Sequence, residues 1–457
     1  MIDSASAIRN SFKAYDIRGR IPDELNEEIA FKIGRAYATF LKPQKICLGR
    51  DVRLSSSSLA LALAEGINYH GCDVLDIGIC PTEMVYFATS YLNLDGGIMV
   101  TASHNPMDYN GMKLIREDSK PISGDSGIQD IASMVIDNQF SPRALKKGSF
   151  RGIDLNDAYI KHLLSYVDTS KISPLKVVAN CGNGCAGPIL EKLKSFLPLN
   201  VVMVFPEPDG RFPNGIPNPI LPENRSVTSD KVLANKADIG LAWDGDADRC
   251  FFFDEAGEFL EGYYIVGFLA QESLKVNPGS KIVHDPRLIW NTTELVKEYG
   301  GIPVMSKAGH AFIKEKMRQE DAAYGGEMSA HHYFRNFAYC DSGMIPWLLL
   351  VQALSSAKRP LSELVKSRID KYPVSGEINR TVGDPHAVIA QIEAFYKGSE
   401  ITTDYIDGLS MEFPLWRFNL RPSNTEPVIR LNLETRSDKS LLKRKTEEIL
   451  SLIDRLN

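Results

Sequence analysis

The chain has no C-x-x-C pair, no Lys/Arg block large enough for a nucleic-acid or membrane footprint, and no apolar run long enough to span a bilayer. Its 7 cysteines are odd in number. Cys181 and Cys185 lie four apart with no His/Cys cluster after them, which argues against a disulfide framework and a structural zinc and for buried, reduced thiols. With 58 acidic and 52 basic side chains the net charge is −6, so neither nucleic acid nor an anionic membrane is an expected partner. The densest apolar stretch, "MIPWLLLVQAL", is too short for a membrane span and contains Pro346. The start shows no basic region followed by an apolar one, so no secretory signal is expected and the expected compartment is the cytoplasm. A Walker A sequence and a G-x-S-x-G elbow are also missing, which disfavours a nucleotide kinase and a serine hydrolase.

What is present is globular. Apolar residues make up 44% and charged residues 24% of 457 positions, enough chain for several cores. From 45 to 103 the sequence alternates: "KICLG" as strand, "SLALALAEGINYHG" as helix, "CDVLDIGI" as strand, "PTEMVYFATSYLN" as helix, "GGIMVT" as strand. Such alternation implies crossover units on a parallel sheet. The theme recurs at 175–244 ("LKVVAN", "NVVMVF", "DIGLAW") and at 281–326 ("KIVHD", "IPVMS", "AAYGG"), then changes after about 372. There "VSGEINRTV", a helical "PHAVIAQIEAFYKG", a hairpin near "DYIDGLSMEF", "VIRLNLE" and a closing amphipathic helix read as α+β. The expected fold class is therefore three similar α/β units with mixed, largely parallel sheets plus a smaller α+β C-terminal domain. The expected boundaries are 1–150, 151–256, 257–370 and 371–457.

Parallel sheets bind ligands beyond the carboxyl ends of their strands, so the polar loops that end each unit are where chemistry is expected. "TASHNP" follows the first, "DGDADR" the second, "GEMSAHH" the third. Asp244, Asp246 and Asp248 alternate, which on extended backbone turns three carboxylates to one side, where they repel unless a cation sits among them. All-oxygen ligation suits Mg²⁺. A solvated acidic turn is the plain alternative, and an EF-hand loop a second, but the sixth position of the latter is Arg249 where that loop requires glycine. Ser103 reads as a nucleophile, a turn hydroxyl or a helix cap, and the string Ser-His-Asn-Pro alone favours the turn; the hydroxyl gains meaning beside a metal that a phosphorylated serine could ligate. Glu327 and Ser329 are spaced to grip vicinal sugar hydroxyls, and His331 is a residue type that exchanges protons near neutral pH. "RPSNTEP" sets Arg421 with Ser423, Asn424 and Thr425 on a proline-bounded turn, which suits a phosphate dianion or is simply a Ser-Asn turn.

A rival reading comes from "NCGNGCAGPILEKL". Gly182, Gly184 and Gly187 fit G-x-G-x-x-G after a strand, with Glu207 20 residues on, which predicts an NAD-dependent oxidoreductase. That reading leaves Ser103, the three aspartates and the Arg421 loop without a role, and Glu207 sits in turn-like "FPEPDG".

Taken together, "AYDIRG", "TASHNP", "GNG", "DGDADR", "GEMS" and "RPSNTEP" in this order resemble the α-D-phosphohexomutases, most closely the bacterial phosphomannomutases, over essentially the whole chain. The resemblance implies interconversion of mannose 6-phosphate and mannose 1-phosphate, with phosphoglucomutase as the alternative main activity. It implies a phosphoserine at Ser103 that ligates Mg²⁺ with Asp244, Asp246 and Asp248, and catalysis by Arg18, Lys113 and His331. Substrate contacts would come from Tyr15, Arg249, Glu327, Ser329 and His310, and a phosphate clamp from Arg421, Ser423, Asn424 and Thr425. A hexose 1,6-bisphosphate would be intermediate and activator, the partners hexose phosphates, the assembly a monomer or small homo-oligomer, and the pathway one that feeds GDP-mannose and surface polysaccharide. The chain departs from the pattern at Ala330, where glycine is frequent, and at Ala308, where Thr-Gly-His is usual.

Overall fold

The computed structural model describes residues 4–422 and 428–456. They divide into two compact units, residues 1–259 with 331–358 and residues 260–330 with 359–457.

In the first unit, one six-stranded sheet runs in the order Ile17–Arg20, Tyr109–Arg116, Gly96–Val100, Lys45–Arg50, Asp73–Ile79, Phe150–Gly152. The strands joined by crossover helices pair in parallel, while Tyr109–Arg116 runs against both its neighbours. A second, five-stranded sheet has the order Phe259–Leu260, Cys250–Phe253, Ile239–Trp243, Lys176–Asn180, Asn200–Val204. Again the inner strands are parallel and Cys250–Phe253 returns antiparallel, Cys250 opposite Trp243. Both sheets are thus mixed for one reason: where the sequence predicts a polar loop after the last parallel strand, the chain makes a hairpin and comes straight back. That hairpin loop is held at both ends by sheet.

Helix Glu27–Leu41 shows how the layers close. Asn26 caps it by accepting from Ile29 N at 3.0 Å, Glu27 and Glu28 complement the positive end of the helix dipole, and Lys42 ends it in the left-handed region. Its Ile29, Ile33 and Tyr37 face is buried, and Gly34 lies against helix Ser56–Asn68 so closely that a Cβ there would stand 2.2 Å from Leu63 O. Ile46, Leu48, Ile98, Val100 and Met112 complete that core. Truncating one such buried aliphatic side chain to alanine costs about 2–5 kcal/mol.

In the second unit, strands Lys281–His284, Ile302–Met305 and Tyr324–Gly326 pair in parallel about the first of them. A separate antiparallel sheet runs Val374–Thr381, Val428–Thr435, Trp416–Pro422, Leu409–Glu412, Thr402–Asp404. Its Phe418, Leu420, Leu431 and Leu433 share a core with Ile392 of helix Pro385–Tyr396 and Ile449 of helix Lys439–Leu456. Within this unit a buried ion pair ties that sheet to loop 285–290. Arg417 reaches Glu434 at 3.0 Å and the carbonyls of Pro286 and Arg287 at 2.9 and 3.0 Å, while Glu434 also accepts from Tyr263 Oη and Ile289 N. Breaking one side of such a pair would strand a buried charge.

All seven cysteines are buried and unbridged, as expected. No described helix is long and apolar enough to cross a membrane.

Candidate functional site

The "TASHNP" loop is the hairpin between Gly96–Val100 and Tyr109–Arg116. It carries Ser103 in the left-handed region at φ 49°, a conformation uncommon for a residue with a Cβ and one that needs support from its surroundings. Arg53 gives that support. Its buried guanidinium donates to the carbonyls of Ser103 (3.0 Å), Asn105 (2.6 Å), Pro106 (2.6 Å) and Tyr109 (2.9 Å), and Ser103 N donates to Thr101 Oγ1 at 2.9 Å.

Ser103 Oγ donates to Asp244 Oδ2 at 2.9 Å. The 244–248 segment is a turn with Ala247 at φ 56°, not the extended run expected from alternation, because its two flanking strands pair as a hairpin and the intervening residues must reverse. The three carboxylates nevertheless converge, with one oxygen from each within 4.8 Å of the others. All are buried, and the chain's own cations balance them. Lys113 Nζ lies 2.8 Å from Asp246 Oδ2 and 2.5 Å from Asp248 Oδ2; Arg249 donates to Asp244 Oδ2 from Nε at 2.8 Å and from Nη2 at 2.5 Å. Thr82 Oγ1 adds a bond to Asp246 Oδ2 at 2.6 Å.

The electrostatics follow. Burial pushes the Asp244 carboxyl up to about 6 against the pull of Arg249. Burial acts the same way on Asp246, but the Lys113 ammonium overcomes it and holds that carboxyl well below the usual range. Burial disfavours the charge on Lys113, and Asp246 and Asp248 more than offset it, so the ammonium is retained. Two acceptors are left over: Asp246 Oδ1 and Asp248 Oδ1 are buried without a hydrogen-bond donor among the described residues. Two unpartnered carboxylate oxygens beside a third carboxylate are a donor set for a hard cation, which fits Mg²⁺.

Around this centre lie the other residues expected in this unit. Arg18, on strand Ile17–Arg20, pairs with Asp16 at 2.8 Å and donates to Asn105 Oδ1 of the serine loop at 2.5 Å. Burial opposes its charge, yet Asp16 and Tyr15 raise its pKa beyond the ordinary value. Lys113 is on Tyr109–Arg116, and His331 Nε2 stands 3.8 Å from Asp248 Oδ1. His104 Nδ1 is 3.2 Å from Ser103 Oγ, but Arg249 Nη2 lies 2.5 Å from the same nitrogen. Burial, then the charges of Arg249 and Arg18, keep His104 neutral.

The glycines at 182–187 have a structural use. A Cβ on Gly184 would meet Gly245 O at 2.6 Å and one on Gly187 would meet Pro206 O at 1.9 Å, while Cys185 N donates to Gly245 O at 3.1 Å. That motif supports the back of the acidic loop.

The second unit holds Glu327, Ser329, His310 and Arg421. Residues 327–330 form a turn, Ala330 N bonding to Glu327 O at 3.0 Å, and Ala330 takes φ 67° there. Glu327 Oε1 accepts from Gly309 N at 2.7 Å, and His310 opens helix His310–Glu320 with Nδ1 3.4 Å from Lys314 Nζ. Arg287 binds Asp285 through Nε (3.0 Å) and Nη2 (2.9 Å), and its Nη2 reaches Ser329 Oγ at 3.4 Å and Glu327 Oε1 at 3.6 Å. Arg421 is held by Glu377 and Asp407, at 2.9 and 3.5 Å. Burial opposes ionisation of Glu377, but Arg421 and Arg287 hold it below the ordinary carboxylate range; at Asp407 burial prevails and the pKa rises. Ser423, Asn424 and Thr425 lie outside the described residues.

Sequence reasoning passed over Arg53, Thr82, Asp285, Arg287, Glu377 and Asp407. Arg53 and Asp285 to Arg287 directly follow the ends of parallel strands Lys45–Arg50 and Lys281–His284. The rule that singled out the other loops points to them too.

Comparison with known proteins agrees along the whole chain. Profiles of the phosphoglucomutase/phosphomannomutase family match as alpha/beta/alpha domain I (residues 9–141), alpha/beta/alpha domain II (157–257), alpha/beta/alpha domain III (261–372) and the C-terminal domain (377–451). A phosphomannomutase of Salmonella montevideo is 57% identical over 97% of this chain and 98% of its own length. A Xanthomonas campestris protein described under phosphohexose mutases is 57% identical over 97% of this chain and 99% of its own. The crystal structure of a phosphoglucomutase/phosphomannomutase family protein from Burkholderia thailandensis superposes with TM-score 0.88 at 33% identity, covering 100% of this chain and 98% of that one.

Proposed function

This chain belongs to the phosphoglucomutase/phosphomannomutase family, and from that premise we propose that it is an isomerase that interconverts mannose 6-phosphate and mannose 1-phosphate through a phosphoserine and a hexose 1,6-bisphosphate. The observation that carries the proposal is Ser103, its hydroxyl donated to Asp244 beside two carboxylate oxygens that have no donor of their own.

The free hydroxyl of a hexose monophosphate attacks phosphoserine 103. The serine P–O bond breaks, a sugar P–O bond forms, the hydroxyl proton passes to His331, and the departing Ser103 oxygen takes up a proton, for which we assign the Lys113 ammonium as donor. The bisphosphate turns end for end and the other phosphoryl group returns to Ser103, which leaves the isomeric monophosphate. Charge spreads over the phosphoryl oxygens in each transfer, and positioning with charge compensation is most of what such transfers need. Arg18 and Arg249 supply part of it. Asp244, Asp246 and Asp248 with phosphorylated Ser103 would hold Mg²⁺, which supplies the remaining charge compensation when bound. Tyr15, Glu327, Ser329 and His310 take the sugar, and Arg421 with Ser423, Asn424 and Thr425 takes whichever phosphate is not reacting. The similarity to bacterial phosphomannomutases supports a cytoplasmic setting.

The test is a coupled assay of mannose 1-phosphate and glucose 1-phosphate, with and without glucose 1,6-bisphosphate, beside intact mass measurement. We expect turnover of the mannose ester, stimulation by the bisphosphate, and a phosphate increment in the wild type that Ser103→Ala removes together with activity. An increment that survives the substitution overturns the assignment of Ser103.

A further inference from the structure

Two carboxylates already engage the guanidinium of Arg421. Nη2 donates to Glu377 Oε2 at 2.9 Å and Nη1 to Asp407 Oδ2 at 3.5 Å, while Nε is buried with no acceptor among the described residues. A guanidinium offers two edges with paired donors, Nε–Nη2 and Nη1–Nη2, and bidentate grip of a phosphate uses one of them. Both edges include the nitrogen that Glu377 holds.

Glu377 is built to be a competitor. Besides Arg421 it faces Arg287 at 3.8 Å and Arg430 at 3.7 Å, so it keeps cationic neighbours when it leaves Nη2. Its side chain is 23% exposed, in contrast to the sealed aspartates of the acidic loop, so it has room to move. The local charge balance points the same way. Arg287, Arg421, Arg430 and Lys307 are set against Asp285, Glu327, Glu377 and Asp407, so the carboxylates cancel the cations of a cluster that must attract a dianion.

Taking Arg421 as the phosphate clamp of the preceding section, we infer that Glu377, backed by Asp407, sets the affinity of that clamp by occupying the donor that a sugar phosphate takes. Each binding event exchanges a carboxylate for a phosphate. The clamp therefore holds every ligand less tightly than its charge allows, and a bisphosphate that must release one end and present the other meets a smaller barrier to letting go. A carboxylate that merely oriented Arg421 would have the opposite effect when neutralised.

That difference in sign is the test. Calorimetric titration of the full chain with mannose 6-phosphate, beside steady-state kinetics and a melting curve, is run on wild type, Glu377→Gln, Asp407→Asn and Arg421→Ala. Glu377→Gln is expected to lower Kd roughly fivefold, the size of a part-exposed ion pair, and to lower KM and kcat together. Asp407→Asn, whose contact is longer, should act in the same direction and by less, and it carries the test if the first variant does not fold. Unchanged or weaker binding in both variants, with Arg421→Ala still losing affinity, overturns the inference and leaves the clamp in place. An Arg421→Ala variant that binds as wild type overturns the clamp itself.

Discussion

The acidic loop of the first unit and the arginine cluster of the second both bury like charges, and they do so in different ways. Asp244, Asp246 and Asp248 are almost fully enclosed, and Lys113, Arg249, Thr82 and Ser103 bind specific oxygens of the first two and of Asp248 until just two acceptors remain. Arg421 and Glu377 keep 15% and 23% of their side-chain surface, at contacts from 2.9 to 3.8 Å. The first arrangement is preorganised, with little to rearrange when charge develops during reaction. The second is exchangeable, which suits the proposed role of binding and releasing a phosphate on every turnover. Loss of a group should therefore appear in kcat at the first and in binding at the second.

The largest expected effect is at the acidic loop. Asp246→Asn removes one of the proposed Mg²⁺ ligands and half of the partnership with Lys113, so kcat should fall by about 10²–10³-fold while KM for mannose 1-phosphate changes little. A chelator should abolish wild-type activity and added Mg²⁺ restore it. If the variant raised KM and spared kcat, the contrast between the two regions would be lost.

Next in size is Arg421→Ala. If the proposed clamp acts on whichever phosphate is not reacting, affinity for the 1-phosphate and 6-phosphate sugars should fall together, by about 1.5–3 kcal/mol, the worth of a charged hydrogen bond. Calorimetric Kd for both esters decides it. Loss for one ester alone would mean that Arg421 serves only one half-reaction.

The contrast was partly legible in the sequence. Strand and helix order was readable because crossover units leave short apolar strands and amphipathic helices between turn residues, and the loops at strand ends followed from the geometry of parallel sheets. The hairpin returns were not. Tyr109–Arg116 alternates too little to advertise a strand, and because the chain doubles back there, both serine and aspartate loops are tight turns whose side-chain directions strand spacing does not predict. Arg53, bound to four carbonyls, and Glu377, in the half-buried strand Val374–Thr381, answer to partners far away in sequence. Arg53 lies just past a parallel strand end, where the loop rule points, but no local pattern marks Glu377.

The smallest expected effect on activity tests how the first region stays rigid. Glu83 follows Thr82 on helix Thr82–Tyr91 and is fully buried, taking donors from Tyr159 Oη and, at 2.9 Å, Ser342 Oγ on one oxygen. The backbone N of Gly343 (2.5 Å) and Met344 (3.2 Å) bind the other. Gly343 in turn lies so close to the acidic loop that a Cβ there would stand 2.4 Å from Ala247 O, and Trp243 Nε1 donates to its carbonyl at 2.9 Å. Burial pushes the Glu83 carboxyl from 4.5 up to about 8, the hydrogen bonds recovering only part of the shift. An acid whose folded pKa lies above its unfolded one holds a proton that the unfolded chain gives up, so its contribution to stability is complete below about 4.5 and declines as pH rises towards about 8. Glu83→Gln fits the same cage, its carbonyl towards the two backbone donors and its amide towards two hydroxyl oxygens that can accept, and it cannot ionise. Melting temperature should therefore fall less between pH 5.5 and 8.5 in the variant than in the wild type, a difference on the order of a few kcal/mol at the alkaline end, while kcat changes by less than about threefold because no reacting atom is touched. Parallel melting curves in the two proteins would mean that Glu83 is ionised in the fold throughout, and that the wall behind the acidic loop carries a charge.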